Sequence, residues 1–404
     1  MTDTLGFCPT RLARLDAFLA EKYIATRRLP GTLTLVARHG EVAHLHAQGL
    51  ADVERGVPCR EDTIFRIYSM TKPITSVALM MLVERGLIAL DDPVHKYIPE
   101  WKNLGVFVAG THRQGFQTRA PSRPMQVVDL FRHTAGLTYG FQLRTNVDEA
   151  YRREKIGEIE KAGTLEGMIQ ALARLPLEFS PGEAWNYSVA TDVLGWLVQL
   201  VSGRPFEHYL AEEIFAPLGM ADTGFHVREG QQHRFAACYQ PTKTGTISLQ
   251  DDPLASSYLK PPSFISGGGG LVSTAHDYLQ FARMLANGGT LNGHRLISRK
   301  TLDLMTANHL PGNSSIAALS RSLFSEAAYD GVGFGLGFAT TLSAARTLMP
   351  GSNRDYFWGG AASTFFWVDP EEDLIGLFMT QLIPSSTWPV RREMRTMVYA
   401  ALDD

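Results

Sequence analysis

The stretch Ile67-Tyr68-Ser69-Met70-Thr71-Lys72-Pro73-Ile74, running on into Thr75-Ser76-Val77-Ala78-Leu79-Met80-Met81-Leu82-Val83-Glu84, has two readings. As local structure it is a helix start: serine is a favoured cap, proline fits a first turn, and the apolar run that follows suits a buried helix. As chemistry it is a nucleophile beside its activator. Residues three apart on a helix share a face, so the Lys72 amine reaches the Ser69 hydroxyl and takes or shares its proton. A hydroxyl at a helix N-terminus also lies beside backbone N–H groups that stabilise a developing oxyanion. A bare serine–x–x–lysine spacing is common by chance, so the second reading needs partners elsewhere in the chain.

Two segments offer them. Phe179-Ser180-Pro181-Gly182-Glu183-Ala184-Trp185-Asn186-Tyr187-Ser188-Val189 places Tyr187 after a Pro-Gly turn and just before a helix. A phenol beside an ammonium has its anion favoured, which lets Tyr187 and Lys72 share one proton; the plainer reading is a half-buried tyrosine at a helix start. Farther on, Asp355-Tyr356-Phe357-Trp358-Gly359-Gly360-Ala361-Ala362-Ser363 puts paired glycines in a strand-like run. Glycines there signal a bulge or a close approach to the backbone. An acyl substrate along that edge is such an approach, with the Ala361 N–H joining that of Ser69 in an oxyanion hole.

The three motifs together, Ser69-Met70-Thr71-Lys72, Tyr187-Ser188-Val189 and Trp358-Gly359-Gly360, resemble in order and spacing the serine β-lactamase and penicillin-binding protein superfamily. They are most similar to its class C-like esterase branch, the family VIII carboxylesterases. Leu130 to Phe141, with its His133-Thr134-Ala135-Gly136, and Ser266-Gly267-Gly268-Gly269-Gly270-Leu271 resemble further stretches of that branch. The resemblance implies Ser69 as nucleophile, Lys72 and Tyr187 as the activating pair, and Trp358, Gly359 and Gly360 as the strand flanking the substrate. It also implies an α+β fold with an antiparallel sheet, a mainly helical lobe, and the active site between them. Two departures bear on substrate. Val189 stands where the lactamases usually carry Asn, and Trp358 where their strand motif usually begins Lys-Thr-Gly. Both replace polar or anion-binding groups with apolar ones, which favours a neutral ester of short to medium acyl chain over an anionic lactam. Gln142 and Tyr139 are candidates for the acyl-side wall.

Periodicity sketches the same architecture. Thr10–Arg28 carries Leu12, Leu15 and Leu19 at helical spacing with Thr10 as a cap; Thr32–Arg38 and Glu41–Gln48 read as a hairpin across His39-Gly40. Tyr356–Val368 and Leu374–Ile383 read as strands about a turn, and Pro389–Ala401 as a final helix. Strands at both ends with helices between suggest one antiparallel sheet built from the two termini. The expected division is residues 1–75 with 215–404 for the sheet lobe and 76–214 for the helical lobe. Within the latter, Leu79–Leu90, Val147–Leu175 and Ala190–Val201 favour helices, and a helix after the four glycines is expected to be capped by Ser273.

Composition excludes several functions. In 404 residues that are 45% hydrophobic, 38 Lys and Arg stand against 41 Asp and Glu, a net charge of -3 with no run of five or more like charges, so neither nucleic acid nor an anionic membrane is an expected partner. Cys8, Cys59 and Cys238 form no C-x-x-C pair and read as idle thiols. The first residues lack a basic start and an apolar core, and no stretch is long enough to span a bilayer, which makes a cytoplasmic location the expectation. His44 and His46 lack the spacing of a metal site, no nucleotide-binding glycine pattern is present, and no cofactor is expected. No serine sits in G-x-S-x-G. The alternatives to an esterase are a β-lactamase or D-Ala-D-Ala peptidase, an acyltransferase on the same scaffold, and a non-catalytic binding protein. Oligomeric state is not readable.

Overall fold

The computed structural model describes residues 5–159, 162–321 and 329–403. Its centre is an eight-stranded sheet in the order Val332–Phe334, Ala339–Thr341, Tyr356–Gly359, Phe365–Asp369, Leu374–Met379, Gly31–Arg38, Glu41–Asp52, Val57–Pro58. The termini meet in the middle: Gly31–Arg38 pairs antiparallel with Leu374–Met379, with Leu33 opposite Met379 and Arg38 opposite Leu374. This is the α+β, β-lactamase-like arrangement expected from the sequence. Every residue of Gly31–Arg38 and Leu374–Met379 is buried, because helices cover the sheet. Ala275–Ala286 packs on the strands Phe365–Asp369 and Leu374–Met379, and the N-terminal helix Pro9–Leu19 packs against the C-terminal helix Val390–Tyr399.

Some elements differ from their sequence reading. Tyr356–Val368 is two strands, since Gly360–Ser363 turns the chain back and pairs Gly359 with Phe365. The N-terminal helix begins at Pro9 with Cys8 before it and no side-chain cap, and it continues through a wider turn at Ala20–Ile24. Thr274, not Ser273, caps Ala275–Ala286, accepting from the Asp277 N–H. The mid-chain segment holds the helices Asn146–Arg153 and Leu165–Leu172, and also a hairpin, Val106–Thr111 with Gly115–Arg119, that helical reasoning passes over. Residues 160 and 161 of the expected helical run lie outside the described residues.

The helix Thr71–Glu84 is buried from Thr71 to Leu82 and packs against Ala190–Ser202. A helix buried on every side belongs in a core, and here it fixes the position of the residues just before it. Cys59 and Cys238 are buried free thiols, and Cys8 is half-buried. Among the described residues no helix is long and apolar enough to cross a membrane.

Candidate active site

Ser69 sits in a single 3₁₀ turn, Tyr68–Met70, that leads into the Thr71–Glu84 helix. It does not cap the helix: the cap position is Met70, with no side-chain hydrogen bond. Its hydroxyl is therefore not committed to the backbone. Tyr68, immediately before it, has φ +39, a conformation that non-glycine residues rarely adopt. The turn is fixed from both sides. Phe65–Arg66 pairs with Val272–Ser273, and the Ile67 N–H donates to the Leu271 carbonyl at 3.1 Å, which lays the glycine run against the nucleophile's turn.

Lys72 is 1% exposed, and its Nζ lies within hydrogen-bond reach of three oxygens, to all of which its ammonium form donates: Ser69 Oγ at 3.3 Å, Tyr139 Oη at 3.1 Å and the Gly268 carbonyl at 2.6 Å. Burial pushes its pKa down to about 7, against the opposing pull of Asp192. The amine is thus substantially neutral at neutral pH, which an ordinary lysine is not. Tyr187 is also buried. Its pKa is raised by burial, and hydrogen bonding with Ser69 and Trp358 offsets part of that rise. Lys72 Nζ lies 4.6 Å from the centre of the Tyr187 ring, so the ammonium form also meets the ring's electron-rich face.

The sequence reading treats Tyr139 as wall or packing and pairs Lys72 with Tyr187. In the structure the Tyr139 hydroxyl also takes a hydrogen bond from Lys72, and Tyr139 stands beside Tyr187 as a second tyrosine near the amine. The segment Leu137-Thr138-Tyr139 carries the signal only through resemblance, because no local spacing ties it to Lys72.

Ser69, Tyr139, Tyr187, Trp358, Gly360 and Ala361 line one cavity of about 370 Å³, within the range of small-molecule sites. Its walls are largely aromatic: Trp358 packs on Tyr187 at 5.5 Å and edge-on to Phe334 at 5.2 Å, while Phe141 stacks on Tyr139 at 4.8 Å. His133 lies behind Tyr187, its ring centre 4.9 Å away and its Nδ1 3.2 Å from Ser188 Oγ, in a supporting position and without contact to Ser69.

Two expected wall residues stand elsewhere. Gln142 is not among the lining residues; its amide donates to the Tyr187 carbonyl at 2.5 Å and its oxygen accepts from Arg144, so its polar atoms brace the Tyr187 backbone. Val189 is fully buried one layer back, where a side chain at Gly157 would meet both it and Tyr139 at 2.7 Å.

The paired glycines also have a different reason from the one read in the sequence. A Cβ on Gly360 would lie 2.4 Å from the Ile67 carbonyl oxygen, and one on Gly359 would lie 2.7 Å from Arg391 Cζ. Glycine therefore lets this turn close on the backbone two residues before Ser69 and admits the Arg391 guanidinium, whose Nη2 donates to the Gly360 and Thr364 carbonyls at 2.5 and 2.9 Å. Closing the turn uses the N–H of Gly360, to Thr364 O, and of Ser363, to Gly360 O; the Ala361 N–H is in neither bond. His44 pairs with Asp16, and no group of three or more potential metal ligands occurs among the described residues.

The whole arrangement has relatives. The chain matches the family model described as Beta-lactamase over residues 17–394. Protein Rv1367c of Mycobacterium tuberculosis is 36% identical over 361 residues, covering 88% of this chain and 86% of that protein. Esterase EstB of Burkholderia gladioli is 32% identical over 412 residues, 96% of this chain and 95% of the esterase. Among solved structures, that of EstCE1, described as a hydrolase with promiscuous acyltransferase activity, superposes with a TM-score of 0.80 at 26% identity over 96% of this chain and 99% of that one.

Proposed function

The chain belongs to the Beta-lactamase family, and within its serine hydrolases we propose an esterase that cleaves neutral carboxylic esters through an acyl-enzyme on Ser69. The observation that carries this reading is the contact of Lys72 Nζ with Ser69 Oγ at 3.3 Å, made by an amine whose pKa burial brings down to about 7. Neutral Lys72 takes the proton as Ser69 Oγ attacks the ester carbonyl. The N–H groups of Ser69 and Ala361 hold the tetrahedral oxyanion. Collapse breaks the bond to the alcohol, which leaves with the proton returned by way of Tyr187, and Lys72 is neutral again. Water then attacks the acyl-enzyme by the same route and releases the acid.

The ester preference rests on Trp358 in the cavity wall and on the apolar Val189 packed behind it. Trp358 lines the cavity where lactamases carry a lysine, and Val189 occupies the position of their asparagine. The esterase named among the relatives supports the same choice. Steady-state hydrolysis of p-nitrophenyl butyrate set against a chromogenic cephalosporin tests it. The ester is turned over with the higher kcat/KM, and a higher value for the cephalosporin refutes the proposal. A second reading, transfer of the acyl group to an alcohol, is favoured by the aromatic lining of the cavity, which suits an apolar acceptor. New esters formed from added alcohols reveal it.

A further inference from the structure

Asp192 is a buried carboxylate that makes no salt bridge among the described residues. It stands in the first turn of the helix Ala190–Ser202, where the helix dipole favours a negative charge. Its Oδ1 accepts from Ser266 Oγ at 2.6 Å and from the Gly268 N–H at 2.9 Å, while Oδ2 is buried with no hydrogen-bond partner. Gly268 is the residue whose carbonyl takes the shortest hydrogen bond of Lys72 Nζ, 2.6 Å, and the neighbouring Gly267 carbonyl accepts from Thr75 Oγ1 on the lysine's own helix at 2.8 Å. One glycine is thus held at its N–H by Asp192 and at its carbonyl by Lys72. Glycine is needed there: a Cβ at Gly268 would sit 2.7 Å from Asp192 Oδ2, and one at Gly267 would sit 2.7 Å from the Thr191 carbonyl oxygen.

We propose that Asp192 is a positioning residue of this site, which grips the Gly267–Gly268 backbone that seats Lys72 and, through its charge, sets how readily Lys72 holds a proton. The inference rests on the reading of Lys72 as the base. The groups facing the amine are the Ser69 hydroxyl, the Tyr139 hydroxyl, the Tyr187 ring, the His133 imidazole and Asp192. Burial holds His133 well below its ordinary pKa and both tyrosines above theirs, so near neutral pH they carry no charge. Asp192 is the carboxylate acting on Lys72, and it opposes burial. This opposition has a catalytic use. An amine held too far below neutrality accepts the serine proton poorly, whereas one near the working pH both takes the proton and returns it.

The test is the pH dependence of Ser69 labelling by a fluorophosphonate, followed by intact mass, which requires no knowledge of the natural substrate. In Asp192→Asn the amide oxygen keeps both acceptor roles and the charge is lost. The acid limb of the labelling rate is expected to move down by about one pH unit relative to wild type, a size typical of losing a nearby buried charge. A folded Asp192→Asn whose limb stays in place, or moves up, overturns the proposal. Ser266→Ala provides a check that does not depend on that variant folding: it loosens the grip and keeps the charge, so the plateau rate falls several-fold and the limb stays at its wild-type pH. An unchanged plateau in Ser266→Ala also overturns it. Failure of the esterase reading looks different, since wild type then labels on Ser69 and hydrolyses no ester.

Discussion

If neutral Lys72 is the base, the pH profile follows from its pKa of about 7. The reactive fraction below that pH falls tenfold per unit, so kcat/KM at pH 6 is about a tenth, and at pH 5 about a hundredth, of the plateau reached above pH 8. If the Tyr187 phenolate were the base, burial, which raises its pKa above the ordinary 10, would leave it almost entirely protonated at pH 7. The rate would then keep climbing through the alkaline range. His133 does not mimic the lysine limb, because burial puts its titration well below 6.5. Glu178 is the other group to separate, since burial and Asp148 raise its pKa far above the carboxylate range. It is not among the cavity's lining residues, so Glu178→Gln leaves the limb in place. The assay is pH-stat hydrolysis of a short-chain ester from pH 5 to 9.5 under kcat/KM conditions, with stability checked at each pH. A profile flat between pH 5 and 7, or a limb at pH 9 or above, refutes the assignment of Lys72.

Two further outcomes follow from the same geometry. Gly360→Ala sets a methyl 2.4 Å from the Ile67 carbonyl and 2.2 Å from Thr364 Oγ1, whereas Gly359→Ala meets the movable end of Arg391; thermal unfolding should show Gly360→Ala destabilised by about 1–3 kcal/mol and Gly359→Ala clearly less. Lys72→Met removes an amine whose folded pKa is lowered from 10.5 to about 7. Between those values the unfolded chain binds the proton and the folded chain does not, so wild-type stability drops as pH falls from about 10.5 to 7. Denaturant unfolding should therefore show the stability of Lys72→Met gaining on wild type across that window and holding level below it, and a pH-independent difference refutes the linkage.

The sheet was legible because its strands are strongly apolar and lie near the two ends of the chain, and a fold that joins its termini leaves few other pairings. The turn at Gly360 was not, since the paired glycines fit a bulge or a close backbone approach as well as a reversal, and the aromatic runs on either side read as one strand. Ser69 and Lys72 could be found because a spacing of three across a helical turn brings them together. Tyr187 and Trp358 came from motif order. What stayed hidden was contact between distant backbone and side chains: the Gly268 carbonyl on Lys72, 196 positions away, and the Tyr139 hydroxyl, 67 away. Gln142 was misplaced because an amide near a pocket residue satisfies backbone as readily as it meets a substrate, and the choice is made by the Tyr187 carbonyl.

The central claim is that Ser69 carries the acyl group. Intact-mass measurement after quenching the enzyme with a slowly turned-over ester tests it most directly. The account predicts a mass increase equal to the acyl group, located by peptide mapping to Ser69, absent in Ser69→Ala together with ester turnover. An acyl group on another residue, or a Ser69→Ala variant that still hydrolyses the ester at the wild-type rate, contradicts it.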